Sequence, residues 1–141
     1  MIMNADLTPP EPRALIVEDE TLIAEELKER LSRLGFSVIA AVDTAEEGIA
    51  IATREHPDLV LMDVRLKGRK DGVQAAKEIR AQVDVPIVYL TAHSDRQTVE
   101  RVKATDYDGF ILKPFQKREL QMTVEVAMQR RAIRAKQKKN Q

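Results

Sequence analysis

The chain has 141 residues, 43% apolar and 33% charged, with a formal net charge of zero. That length carries one ordinary domain with a proper core, and the balance is globular rather than disordered. The absence of cysteine excludes disulfides and thiolate metal sites, and no apolar run approaches the ~18 residues that span a bilayer.

The opening segment "MIMNADLTPPEPR" lacks the basic-then-apolar layout of a signal peptide, and its prolines predict a loose tail over 1–11. A cytoplasmic location is expected. Residues 129–141, "QRRAIRAKQKKNQ", hold six basic residues and no acid, which leaves 17 basic against 23 acidic groups elsewhere. No aromatic residue is interleaved there for stacking on bases, so direct nucleic-acid binding is not expected. The stretch 131–141 reads as a solvated basic helix end, where cations suit the helix dipole.

In chain order, "RALIV" (13–17) predicts a first strand and runs into Glu18, Asp19 and Glu20. Ile23, Leu27, Leu31 and Leu34 then recur at helical spacing, with Gly35 as the stop. "FSVIAA" (36–41) predicts a second strand; Thr44 and Glu47 make a capping box for a helix lining Ala45, Ile49 and Ala52. "DLVLM" (58–62) is the third strand, and Asp71 with Gln74 caps a helix carrying Val73, Ala76 and Ile79. "PIVYL" (86–90) precedes a polar helix around 95–104, with Val99 and Val102 as its main apolar contacts. "GFIL" (109–112) leads to a last helix from about Gln116, with Leu120, Val124, Ala127 and Met128 on one side and Met122, Val126 and Ile133 spare for a partner.

Five strand–helix repeats predict an α/β fold, a doubly wound parallel sheet with helices on both faces. Right-handed crossovers bring the C-terminal ends of all strands to one edge. At that edge stand Glu18 and Asp19, then Asp63, Thr91 and Lys113, the last followed by Pro114. Two neighbouring carboxylates there repel by about 3 kcal/mol at an intermediate dielectric. A hard divalent cation relieves that cost, and an all-oxygen donor set favours Mg²⁺ or Mn²⁺ over zinc. Phosphate oxygens commonly fill the open positions of such an ion, which makes Asp63 a candidate nucleophile for an aspartyl phosphate.

Four motifs in register, "VEDE", "LVLMDVRL", "YLTAH" and "GFILKPF", each follow a predicted strand. On them the chain resembles the receiver domain of two-component response regulators over about residues 12–130. The resemblance implies strand order 2-1-3-4-5 and a cis Lys113–Pro114 bond. It implies Asp63 as phosphoacceptor from a sensor histidine kinase or a histidine phosphotransfer protein. Glu18, Asp19, Asp63 and the backbone carbonyl of Arg65 would hold the cation. Lys113 would pair with Asp63 and later with the phosphoryl oxygens. Thr91 would bond the phosphate, and Phe110 would follow it inward, switching the face formed by the fourth helix, fifth strand and fifth helix for homodimerisation or docking. Such a chain is a regulator, not an enzyme, beyond its own phosphorylation and dephosphorylation.

The resemblance has departures. Lys67 stands where a proline is usual, and "VRLKGRKDG" is one residue longer than the common loop. Arg65 and His93, two positions beyond the acceptor and beyond Thr91, are read as shielding the acyl phosphate from water. Glu20 is read as a first-turn acid rather than a ligand, and His56 as a solvated loop residue. The rival readings are a haloacid-dehalogenase-type phosphatase, a flavodoxin-like cofactor carrier and a degenerate receiver used only for docking. The first wants an aspartate where Arg65 stands, and the second a Gly/Ser/Thr-rich phosphate loop where "EDETLI" stands.

Overall fold

The computed structural model describes residues 10–92 and 95–139. Its elements alternate strictly: β1 (Arg13–Val17), α1 (Thr21–Arg33), β2 (Ser37–Val42), α2 (Ala45–Glu55), β3 (Leu59–Asp63), α3 (Gly72–Gln82), β4 (Ile87–Thr91), α4 (Arg96–Lys103), β5 (Gly109–Leu112) and α5 (Lys117–Lys139). All pairings are parallel, in the order β2-β1-β3-β4-β5. The strand order reverses between β1 and β3, which is where open α/β sheets place their ligand crevice.

Alternation along the strands divides the core in two. Leu15, Val17, Val60, Met62 and Tyr89 face Ala45, Ala52, Val73, Ile79 and Val102 of α2, α3 and α4. Ala14, Ile16, Leu59, Leu61, Val88 and Leu90 face Leu27, Leu31, Leu120, Val124 and Ala127 of α1 and α5. The three inner strands are sealed on both sides, whereas β2 and β5 at the margins are only partly buried. The second strand is therefore not covered on both faces as its composition suggests, because an edge strand has one neighbour only.

Strands two, three and four each begin one residue later than expected. For β2 the register slips between Ala14 and Leu15, whose partners are Val38 and Ala40, so one extra residue is accommodated. Asp71 and Gln74 close the expected reciprocal box at 3.0 Å each. At Thr44 only half of the expected box forms: its hydroxyl accepts from the Glu47 N–H at 3.2 Å, and the Glu47 carboxylate lies 3.3 Å from that hydroxyl rather than on the Thr44 backbone N–H. In α4 the buried residues are Thr98 and Val102 rather than Val99, since Thr98 turns its hydroxyl back to Asp95 (3.0 Å) and faces inward. His56 is exposed, as expected, and closes α2 in a left-handed conformation at φ 49°.

The basic end is not a freely solvated terminus. α5 runs unbroken to Lys139. Arg131 bonds Asp58 at 3.0 Å, Arg134 bonds Asp108 at 2.6 Å, and Lys138 bonds Asp84 at 2.9 Å. Those aspartates precede β3, β4 and β5, so the helix end is fastened to the N-terminal edge of the sheet. No helix among the described residues is long and apolar enough to cross a membrane.

Candidate phosphoacceptor site

The opposite edge gathers most of the residues singled out above. Val17 and Met62 are register partners, so Glu18 and Asp63, the residues after them, emerge side by side. Glu18 is fixed by its N–H to the Val42 carbonyl (2.9 Å), and Lys113 by its N–H to the Thr91 carbonyl (2.9 Å). Asp63 is 4% exposed, Glu18 2% and Thr91 0%. Acids this deeply buried are rare unless paired.

Lys113 supplies the pairing. Its Nζ lies 3.2 Å from Asp63 Oδ2 and 3.5 Å from Glu20 Oε1. It approaches Glu18 Oε1 more closely, at 2.6 Å, within ion-pair range but without hydrogen-bond alignment. The Glu18 contact was not evident from sequence. The Lys113–Pro114 bond is cis.

One cation among several acids leaves charge unresolved. Burial pushes the Glu18 carboxyl up to about 7, reinforced by the neighbouring Asp63 carboxyl and opposed by Lys113. Burial also works against the charge of Lys113, but Glu18 and Asp63 outweigh it and hold its pKa above the ordinary lysine value. Near neutrality Glu18 therefore retains a proton for much of the time.

The carboxylates of Glu18, Asp19 and Glu20 offer oxygens all within 4.8 Å of one another. An all-oxygen cluster beside buried Asp63 fits a hard divalent ion. Glu20 stands at the N-cap of α1 in an extended conformation, not in the first turn, and its side chain makes no cap hydrogen bond. That frees its carboxylate to join the cluster.

The 64–72 loop is shaped around Asp63. Asp63 Oδ1 accepts from the Arg65 N–H at 3.3 Å, and the Gly72 N–H reaches the Val64 carbonyl at 2.7 Å. A Cβ on Gly72 would meet the Asp63 carbonyl oxygen at 1.9 Å. Only glycine lets α3 start this close to the Asp63 backbone, a constraint sequence pattern alone did not reveal. Gly68 takes the positive φ of 100° that the longer loop requires.

The Arg65 guanidinium lies 3.8 Å from Asp95, the N-cap of α4, and so leans toward that helix. Phe110 is partly buried against the α2–α4 side of the core. His93 lies outside the described residues.

A doubly wound sheet that collects buried acids, a threonine and a lysine at its switch point defines a class of phosphoryl-accepting signalling modules. Residues 14–125 match the sequence model of the response regulator receiver domain, and the chain belongs to that family. It is 39% identical over 127 residues to the transcriptional regulatory protein PdtaR of Mycobacterium tuberculosis, covering 90% of this chain and 61% of the relative. It is 38% identical to a probable transcriptional regulator, ycf27, of Porphyridium aerugineum, covering 84% of this chain and 48% of the relative. The chain thus spans only about half to three fifths of these relatives' lengths.

Among solved structures, the receiver domain of a modulated diguanylate cyclase from Desulfovibrio desulfuricans superposes with a TM-score of 0.82 at 33% identity, over 88% of this chain and 98% of that one. The receiver domain of a sensor histidine kinase from Pseudomonas aeruginosa, described with a magnesium ion in its active-site cleft, gives 0.76 at 31% identity, over 84% and 98%. The chain is a two-component receiver domain, with the five-stranded order such domains adopt.

Proposed function

We propose that Asp63 is the phosphoacceptor, taking a phosphoryl group from a sensor histidine kinase or histidine phosphotransfer protein in the cytoplasm. The supporting observation is a buried carboxylate at the end of β3, 3.2 Å from a buried ammonium and beside a second buried acid, Glu18. An Asp63 oxygen attacks phosphorus in line as the P–N bond to the donor imidazole breaks, and the imidazole departs with a proton. Lys113, already at Asp63, neutralises charge on the transferred group, and the Thr91 hydroxyl donates to one of its oxygens. Glu18, Asp19, Asp63 and the Arg65 carbonyl would hold Mg²⁺ or Mn²⁺, with Glu20 near enough to contribute. Bound there, the ion supplies positive charge to phosphoryl oxygens.

Transfer then draws Thr91 and Lys113 toward the phosphoryl group. Phe110 repacks into the space behind Thr91, altering the α4–β5–α5 surface that would dimerise or dock a partner. The chain on this reading catalyses only its own phosphorylation and dephosphorylation, with residues 12–130 as the signalling unit. Incubation with acetyl phosphate and Mg²⁺ should label the chain stoichiometrically, and Asp63→Asn should abolish the label. Labelling that survives Asp63→Asn would refute the assignment. Arg65 and His93 are read as screening the acyl phosphate, so Arg65→Ala with His93→Ala should speed decay of the label; an unchanged decay rate removes that role.

A further inference from the structure

The 64–72 loop, with glycine at both 68 and 72, has little backbone stiffness of its own. Its place is set by a few contacts. The Gly72 N–H closes the loop onto the Val64 carbonyl at 2.7 Å. Asp71, one residue earlier, divides its carboxylate between two helices. Oδ1 accepts the Gln74 N–H at 3.0 Å and caps α3, while Oδ2 lies 2.7 Å from Nη2 of Arg101 on α4. At the loop's other end Arg65 approaches Asp95, the N-cap of α4, at 3.8 Å. Both ends of the loop are therefore tied to α4, and Arg101 makes the tighter tie.

Little else joins the two. The eight residues of α4 bury only Thr98 and Val102. Between the two bridges lies a cleft of about 350 Å³ lined by Leu66, Gln97 and Thr98, so charge rather than close packing links loop to helix there. From Arg101 the contacts lead back to the site. Asp71 adjoins Gly72, whose N–H holds the Val64 carbonyl, and the next N–H along, that of Arg65, donates to Asp63 Oδ1 at 3.3 Å.

We infer that Arg101 is a positioning residue for Asp63, acting through Asp71 to hold the 64–72 loop against the Asp63 carboxylate. Its effect on phosphorylation rests on the phosphoacceptor reading, whereas the clamp on the loop does not. Arg101 and Asp71 are 43% and 27% exposed, so the pair is partly screened and its loss is worth a few-fold change. Lys70 and Glu78, 2.7 Å apart, tie the same loop to α3 but lie off this line of contacts, which makes them the control.

Amide exchange at the Gly72 N–H, in the metal-free and unphosphorylated chain, reads the clamp directly. Arg101→Ala should speed it about threefold. Asp71→Asn should do the same, because asparagine keeps the α3 cap but not the charge. The two changes together should be no faster than either alone, since they remove one and the same pair. Lys70→Ala should leave the rate unchanged. Initial labelling by acetyl phosphate and Mg²⁺ should slow about threefold in Arg101→Ala and recover in Arg101→Lys. Unchanged exchange in Arg101→Ala, additive effects of the two changes, or equal loosening by Lys70→Ala overturns the inference. So does a loosened loop with an unchanged labelling rate, or no recovery in Arg101→Lys. A parent chain that takes no label removes the phosphoacceptor reading instead, and the exchange rates still decide the clamp.

Discussion

The two edges of the sheet hold similar acids in opposite circumstances. At the N-terminal edge Asp108, with its side chain fully buried, accepts from the Ile87 N–H at 3.0 Å, from Arg134 at 2.6 Å and from Arg80. Asp58 and Asp84 have their own cations in Arg131 and Lys138. At the C-terminal edge Glu18, Glu20 and Asp63 share Lys113 as their one side-chain cation among the described residues. A buried acid whose charge is met on the spot is structural. One left short of positive charge invites a cation or a positively compensated ligand. The pKa shifts express the same contrast: the bond to Lys138 holds Asp84 below the usual carboxylate range, while burial raises Glu18.

That contrast breaks most visibly at Asp108. Asp108→Ala strands two arginines in partly buried positions, and loss of one partner of a buried pair costs about 3–5 kcal/mol. Chemical denaturation should register that loss, while acetyl phosphate still labels the folded fraction at the other edge. A variant as stable as the parent would mean the N-terminal network contributes little.

Glu18 should behave in the opposite sense. Its folded pKa is raised, so the folded chain binds more protons than the unfolded one between about pH 4.5 and 7. Stability without divalent metal should therefore fall as pH rises through that window, by up to about 3 kcal/mol. Glu18→Gln should flatten this fall in melts collected from pH 5 to 8. An unflattened profile would place the strain elsewhere. Asp84, with its pKa lowered, contributes stability that is kept above about pH 4 and lost only on further acidification.

Much of this was readable in the sequence. Short Val/Ile/Leu runs located the strands to within a residue, since buried parallel strands need continuous apolar stretches. The residue following each run marked the C-terminal edge, because parallel strands all end there. The pairings at the other edge were not legible. Arg131 meets Asp58 across 73 residues and Arg80 meets Asp108 across 28, and charged pairs that distant leave no period to detect. The basic end thus looked solvated when it is fastened. Glu18's contact with Lys113 and the close approach at Gly72 were hidden for a similar reason, as both depend on how α/β units stack rather than on spacing within one unit.

The receiver reading also disposes of two of its rivals by position. The phosphatase alternative lacks its second aspartate, because Arg65 stands there and leans toward Asp95 at 3.8 Å. The cofactor-carrier alternative meets buried acid where it needs a phosphate loop.

The charge deficit at the C-terminal edge is tested most directly by calorimetric titration with Mg²⁺ of the unphosphorylated chain, beside Asp19→Asn. The account predicts one saturable site in the parent, with binding severely weakened in the variant. Binding absent from the parent, or undiminished in Asp19→Asn, would contradict it.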